Sequence, residues 1–90
     1  MSKAYLIGHI TITNPQAYAV YASQVPHTLA AFGGKYLVRG GNATPVEGDT
    51  PGERHVVIEF HNRETAEAWY ASAAYQAIVK HRTDNATGSL

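Results

Sequence analysis

The chain has 90 residues and equal numbers of acidic and basic side chains, so its formal net charge is zero. A chain of this length fits one domain, and we predict a single domain over residues 1–90. Nothing in the charge balance suggests the basic stripe that nucleic-acid binding requires, so we expect no nucleic-acid partner. The absence of cysteine excludes disulfides, thiolate nucleophiles and cysteine-ligated metal centres.

No apolar run approaches the roughly 18 residues that a membrane span needs. The first residues lead into an alternating segment rather than a signal-peptide core. We therefore expect a cytoplasmic protein without a membrane partner. Since a short chain buries a modest fraction of its surface, a second subunit that covers apolar area would stabilise it.

The first third of the chain predicts a strand followed by a helix. Residues 4–13 are β-branched and aromatic with both parities largely apolar, which indicates a strand buried on both faces. Asn14 and Pro15 form a helix start, because Asn caps free amides and Pro at the first helical position loses no hydrogen bond. The apolar stripe of this helix is Tyr18, Tyr21, Val25, Leu29 and Phe32.

Proline and glycine mark irregular points in this half of the chain. Pro26 should kink the first helix, and Gly33-Gly34 should end it. A second strand is predicted over residues 35–39. Residues 40–52 are rich in turn formers and have no periodicity, so they predict a loop.

The second half repeats the alternation of strand and helix. Residues 53–60 predict a third strand, with Val56, Ile58 and Phe60 on the more apolar parity, which should meet the helices. Asn62 is placed to cap a second helix, and Ser72 to restart a short one. The polar end of the chain contains at most a rudimentary fourth strand near residues 88–90.

This order predicts an α+β fold of the ferredoxin-like βαββαβ type, an antiparallel sheet with both helices on one face. The other sheet face must then be polar, covered by a ligand or paired. It carries Ile7, Leu37 and Val57 beside polar residues, which favours pairing.

Specific residues resemble a known family. The tripeptide Phe32-Gly33-Gly34 comes shortly before the run Tyr-Leu-Val-Arg-Gly-Gly over residues 36–41. Residues 68–75 begin with Ala-Trp-Tyr and continue with Ser72 and Tyr75, at the spacing of the family's helix motif. With Arg54 and residues 57–60, this pattern looks like domain-of-unknown-function family 1330 over nearly the whole chain. The resemblance implies a dimeric α/β barrel, in which two four-stranded sheets pack face to face, and it implies no established reaction. Relatives usually continue into a fuller fourth strand.

Strand parity places three candidate site residues on the barrel-facing side, namely His9, Arg39 and Glu59. Arg39 could bind a carboxylate or enolate oxygen at two points, while Glu59 or His9 moves a proton. The alternative, which we favour, is that Arg39 and Glu59 neutralise each other as a structural ion pair. A paired arginine can still face a ligand, so the two interpretations are compatible.

Aromatic residues offer a second possible site in the cleft between helix and sheet. Tyr21 and Trp69 are candidate substrate-binding residues, and one tyrosine hydroxyl could point into the cleft near His9. Core and interface packing is the favoured alternative, since Tyr21 and Trp69 lie on apolar stripes at helical spacing.

Metal and phosphate sites are not predicted. The five histidines show no spacing that places two of them on one helix or strand face, so we expect scattered surface histidines. Gly40-Gly41 follows a strand, but no helix start or phosphate-loop spacing accompanies it. The pair should permit a sharp exit from the second strand.

Two functions fit the sequence. The first is a homodimer that binds a small, mainly apolar acid or carbonyl compound without a cofactor, with Arg39 as the anion anchor. Its enzymatic form, acid–base catalysis by Glu59 or His9, rests on analogy of fold. The rival is a non-catalytic structural or regulatory dimer with a packed barrel interior. The residues alone do not decide whether the protein is an enzyme.

Overall fold

The computed structural model describes residues 2–49 and 53–90. Within these residues, four strands and four helices follow one another. Their bounds are β1 Ala4–Ile12, α1 Pro15–Ala30, β2 Lys35–Gly40, β3 Arg54–Phe60, α2 Arg63–Ala71, α3 Ala73–Gln76, α4 Val79–Thr83 and β4 Ala86–Ser89. The predicted βαββαβ order is confirmed. The second helical region consists of three short helices, of which α4 was not predicted.

The strands form one antiparallel sheet in the order β2-β3-β1-β4. The two longest strands, β1 and β3, occupy the centre, with Ala4 opposite Phe60 and Ile10 opposite Arg54. The predicted loop after β2 is irregular over residues 41–49, and residues 50–52 of that prediction lie outside the described part of the chain. Gly40 and Gly41 both have positive φ, as the predicted sharp exit requires.

Side-chain caps fix where the helices begin. The Asn14 side chain accepts a hydrogen bond from the Ala17 amide, with Pro15 at the first helical position. Asn62 accepts one from the Thr65 amide at 2.7 Å. Ser72 separates α2 from α3 with an extended backbone, ψ 148°, and its hydroxyl caps α3. All three predicted caps are confirmed.

The core lies between the helices and one sheet face. It contains the predicted β3 residues Val56, Ile58 and Phe60, and Trp69 and Tyr75 from the second helical region are its largest fully buried side chains. The other core residues are Ile10, Tyr18, Tyr21, Val25, Leu29, Ile78 and Ala86. The helices therefore cover one face of the sheet only.

The opposite sheet face is open and largely apolar in the centre. We define the open face as the surface of the sheet that carries the odd-numbered side chains of β1 and β3. Tyr5 and Ile7 are 53% and 52% exposed there, and Leu37 and Val38 from β2 are also exposed. Val57 lies between them, opposite Ile7. The predicted apolar second face is present.

The sheet has one irregularity, in β2. Tyr36 lies opposite Ile58, but Val38 lies opposite Val57, so one extra residue, Leu37, is inserted between them. Such a bulge reverses the face on which the following side chains lie. Arg39 therefore lies opposite Val56, whose side chain faces the helices.

No helix among the described residues is long and apolar enough to cross a membrane.

Candidate functional site

The two candidate catalytic residues, His9 and Glu59, lie on the open face as predicted, but apart from each other. His9 is opposite His55, whereas Glu59 is opposite Tyr5, four positions away along β1. At the rise of a strand this separation is about 13 Å. One reacting atom cannot contact both side chains at that distance.

Glu59 is engaged by a lysine. Its Oε1 atom accepts a hydrogen bond from Lys3 Nζ at 3.0 Å. This hydrogen bond holds the pKa of Glu59 below its usual range. The carboxylate is thus ionised at neutral pH and is a weak base.

Arg39 does not share the open face, so its predicted ion pair with Glu59 is wrong. The bulge turns Arg39 toward α1, where its Nη2 donates to the Ala22 carbonyl at 2.9 Å. Ala22 precedes Pro26 by four residues, and Pro26 has no N–H to complete the helical hydrogen bond. The guanidinium also lies 4.9 Å from the centre of the Tyr36 ring. Arg39 therefore partners the carbonyl that Pro26 leaves free.

Tyr21 and Trp69, the predicted substrate-binding aromatic residues, belong to the core. Trp69 is 1% exposed, and its indole Nε1 donates to the Thr28 hydroxyl at 2.9 Å. The buried hydroxyls of Tyr21 and Tyr75 are 2.9 Å apart, and burial raises the pKa of Tyr21 far above its usual value. Because His9 lies on the other side of the sheet, the predicted approach of a tyrosine hydroxyl to His9 is wrong for Tyr21.

A histidine pair lies on the open face. His9 and His55 are direct partners across β1 and β3, and their Nδ1 atoms are 3.0 Å apart. The rings meet edge to face, with centroids 5.2 Å apart. The expectation of scattered histidines is therefore wrong for these two, which meet across strands rather than along one.

Two arginines that the predictions omitted lie at the cleft between sheet and helices. Arg54 and Arg82 line a small inner cavity together with Tyr18, Tyr21 and Tyr36. Neither arginine makes an ion pair with the described residues, and the buried Nε atom of each lacks a hydrogen-bond partner there. Burial lowers the pKa of Arg82, but the Tyr75 hydroxyl outweighs it, so the net pKa is raised and the guanidinium is charged.

Gly40 makes room for one of these arginines. A Cβ atom at this position would lie 2.8 Å from Arg54 Nη1, and the backbone has φ 82°. The Arg54 guanidinium also lies 5.8 Å from the centre of the Tyr18 ring. The double glycine at the end of β2 therefore serves the packing of Arg54 as well as the turn.

A larger groove lies outside this cavity, between the start of β1, α2 and the end of the chain. We call it the outer groove; its volume is about 890 Å³. Its apolar lining includes Leu6, Ile7 and Leu90, and its cations are Lys3, Arg63 and Arg82. Leu6, Arg82 and Leu90 also line the inner cavity, so they form the wall between the two spaces.

The family model for a domain of unknown function, DUF1330, matches residues 3–90. The chain belongs to the DUF1330 family. No curated protein matches this sequence.

Among solved structures, this DUF1330 chain is similar to a protein of unknown function from Rhodopseudomonas palustris. The TM-score is 0.76 at 16% sequence identity, and the match covers 97% of this chain and 78% of the other. The comparison confirms the mixed α+β fold, with its four-stranded antiparallel sheet and helices on one side.

Sequence signals could have placed Arg54, but not Arg82, at the cleft of this DUF1330 protein. Arg54 has the parity of Val56 and Ile58, so it had to point toward the helices. Arg82 lies in α4, which has five residues and no side-chain cap. Such a short helix leaves neither a periodic stripe nor a start signal in the sequence.

Proposed function

We propose that this protein is a homodimer that binds a small, mainly apolar carboxylate in the outer groove, with Arg82 as the anion anchor. The observation that carries the proposal is the Arg82 guanidinium, which lines the groove while its buried Nε atom lacks a partner in the described structure. A carboxylate accepts two parallel hydrogen bonds from a guanidinium, which makes it a well-matched ligand.

The size and lining of the outer groove support a small organic ligand. Ligand sites commonly have volumes of roughly 300–1,000 Å³ and apolar walls with a few polar groups, and the groove has about 890 Å³. Leu6, Ile7, Tyr70 and Leu90 supply apolar surface.

Among the three cations of the outer groove, Arg82 is the best candidate for the anion anchor. Lys3 is paired with Glu59 at 3.0 Å, and Arg63 lies 3.5 Å from Glu67. Binding an anion at either position competes with an existing carboxylate. Arg82 has no such competitor among the residues described, so it takes the role that the sequence assigned to Arg39.

A second copy of the chain fits the open face. The exposed apolar side chains of Tyr5, Ile7, Leu37 and Val38 lie on one surface of a 90-residue protein. The net charge is zero, so two copies approach without long-range repulsion. Tyr5 and Ile7 also line the outer groove, so a second copy on this face would border the ligand site.

The inner cavity favours the rival function, a non-catalytic dimer with a packed interior. Its volume is about 20 Å³, which is room for about one water molecule. The inner cavity is therefore too small for an organic ligand, and if the outer groove binds nothing the rival explains the molecule better. Proton transfer by Glu59 or His9 stays a prediction of the sequence.

A thermal-shift assay with benzoate and hexanoate tests the ligand site, with benzamide and hexanamide as uncharged controls. At ten times Kd a ligand stabilises the native state by about 1.4 kcal/mol, which raises the unfolding midpoint by about 6–11 °C in a domain of this size. We expect this shift with a carboxylate and its loss in Arg82→Gln.

Arg63→Gln is the matched control, because Arg63 lines the same groove but is exposed and paired with Glu67. It should keep the carboxylate shift. Each shift is measured against the same variant without ligand, so a loss of intrinsic stability in Arg82→Gln does not mimic a loss of binding. Equal shifts with acids and amides, or none with any compound, would contradict the proposal.

A further inference from the structure

The His9–His55 pair has no role in the proposed carboxylate site. Both side chains are partly buried on the open face, and the pair lies on the side of the sheet away from Arg54 and the core. At 3.0 Å the protonated Nδ1 of one ring donates a hydrogen bond to the unprotonated Nδ1 of the other. Histidine is also the commonest protein ligand of metal ions, and two imidazole nitrogens this close together can bind the same ion.

The distance between the nitrogens determines which ion fits. With metal–nitrogen bonds of about 2.0–2.1 Å, two nitrogens 3.0 Å apart subtend an angle of about 91–97° at the ion. The ion would lie about 1.3–1.5 Å off the line between them. This angle is near that of neighbouring ligands in a square-planar or octahedral site, and at a given nitrogen site Cu(II) binds more tightly than Ni(II) or Zn(II).

We propose that His9 and His55 form a two-histidine site for a divalent late transition-metal ion, Cu(II) above all. The juxtaposition is built into the sheet, since the two residues are paired directly across neighbouring strands. Binding needs both Nδ1 lone pairs, so the donor imidazole moves its proton to Nε2. A neutral pair thus binds the ion without net proton release, and acid pH weakens binding because imidazolium has no free lone pair.

The surroundings of His55 suit a cation. His55 borders an open recess of about 540 Å³ whose lining includes Asp49 and Glu53. Their carboxylates give the recess negative charge, which attracts a cation. Within the described part of the chain no third histidine or carboxylate is placed to complete a cluster. Water molecules therefore fill the remaining coordination positions.

Calorimetric titration of the full chain with Cu(II), Ni(II) and Zn(II) chlorides tests the site. We expect the affinity to fall from Cu(II) to Ni(II) and Zn(II), and His9→Gln and His55→Gln each to weaken Cu(II) binding at least tenfold. His27→Gln is the control, because His27 is exposed near the end of α1, and it should bind as the parent does.

Electron paramagnetic resonance of the Cu(II) complex supplies a readout that a structural role would not change. An axial spectrum with coupling to two nitrogens is expected, reduced to one nitrogen in either variant. A stoichiometry of one ion per chain supports the site when His9→Gln and His55→Gln each weaken binding at least tenfold. Undiminished binding in folded His9→Gln and His55→Gln, judged by circular dichroism, would overturn the proposal.

Discussion

At the scale of single residues, the polar groups of the core are matched in pairs. The indole of Trp69 has the Thr28 hydroxyl, and the Tyr21 hydroxyl has that of Tyr75. A buried polar group without a partner is costly, so each pair stabilises chiefly by avoiding that cost. These aromatic residues therefore pack in the core with their polar atoms hydrogen-bonded.

Because the Tyr21 and Tyr75 hydroxyls contact each other, we predict that the effects of their removal on the free energy of unfolding are not additive. Tyr21→Phe leaves the buried Tyr75 hydroxyl without its tyrosine partner and should lower the free energy of unfolding by about 1–3 kcal/mol. Tyr75→Phe should act similarly. The double variant should cost less than the sum, by about 0.5–1.5 kcal/mol, since both hydroxyls are then gone. Urea unfolding measures all three.

Tyr70→Phe is the control for this cycle. Tyr70 is 43% exposed, and removing its hydroxyl should change stability by less than about 0.5 kcal/mol. Additive effects of Tyr21→Phe and Tyr75→Phe would show that the two hydroxyls do not interact energetically.

At the scale of elements, the alternation of residues predicted the face of each side chain correctly where strand pairing is regular. It gave the wrong face where the pairing is interrupted. In β1 and β3 the even-numbered side chains face the helices without interruption, so alternation alone placed His9, Val56 and Glu59 correctly. In β2 the inserted Leu37 reverses the faces. The sequence of β2 has Lys35, Leu37 and Arg39 on one parity, a pattern that fits a regular strand, and it therefore carried no signal of the bulge that misplaced Arg39.

The bulge connects β2 to α1 through Arg39, which yields a second prediction. Arg39→Ala removes the donor to the Ala22 carbonyl and should lower the free energy of unfolding by about 0.5–1 kcal/mol, because water partly replaces the exposed hydrogen bond. In a Pro26→Ala background the amide of residue 26 can bond to Ala22, so the same substitution should cost less.

The Pro26→Ala parent should itself be more stable, since proline inside a helix costs about 3 kcal/mol. Unfolding in urea of the four proteins in this cycle measures the coupling. An Arg39→Ala cost that is the same in both backgrounds would show that Arg39 does not compensate for Pro26.

At the scale of the whole molecule, the protein is a two-layer slab, 16 Å across its shortest axis and 33 Å along its longest. A single helical layer covers one sheet face, so the element order was enough to predict an open second face. Strand parity is enough to place Arg54 at the cleft, but the position of Arg82 depends on how α4 packs against the sheet, which no local sequence pattern records. The fold was thus more accessible from the sequence than the candidate site.

The open face predicts the oligomeric state. Sedimentation of the protein at about 50 µM should give twice the 9.7 kDa mass of one chain. Ile7→Lys places a charge at the centre of the open face, and in a symmetric dimer each substitution occurs twice. A buried unpaired charge costs several kcal/mol, so this variant should sediment as a folded monomer.

Val20→Lys provides the comparison for this last experiment, because Val20 is 45% exposed on α1 and Ile7 52% exposed on β1. The two substitutions add the same charge and remove similar apolar surface, and only the face differs. A dimer that persists in Val20→Lys and dissociates in Ile7→Lys assigns the interface to the sheet. Dissociation in both variants would point to net charge rather than to this surface, and a monomeric parent protein would contradict the second copy altogether.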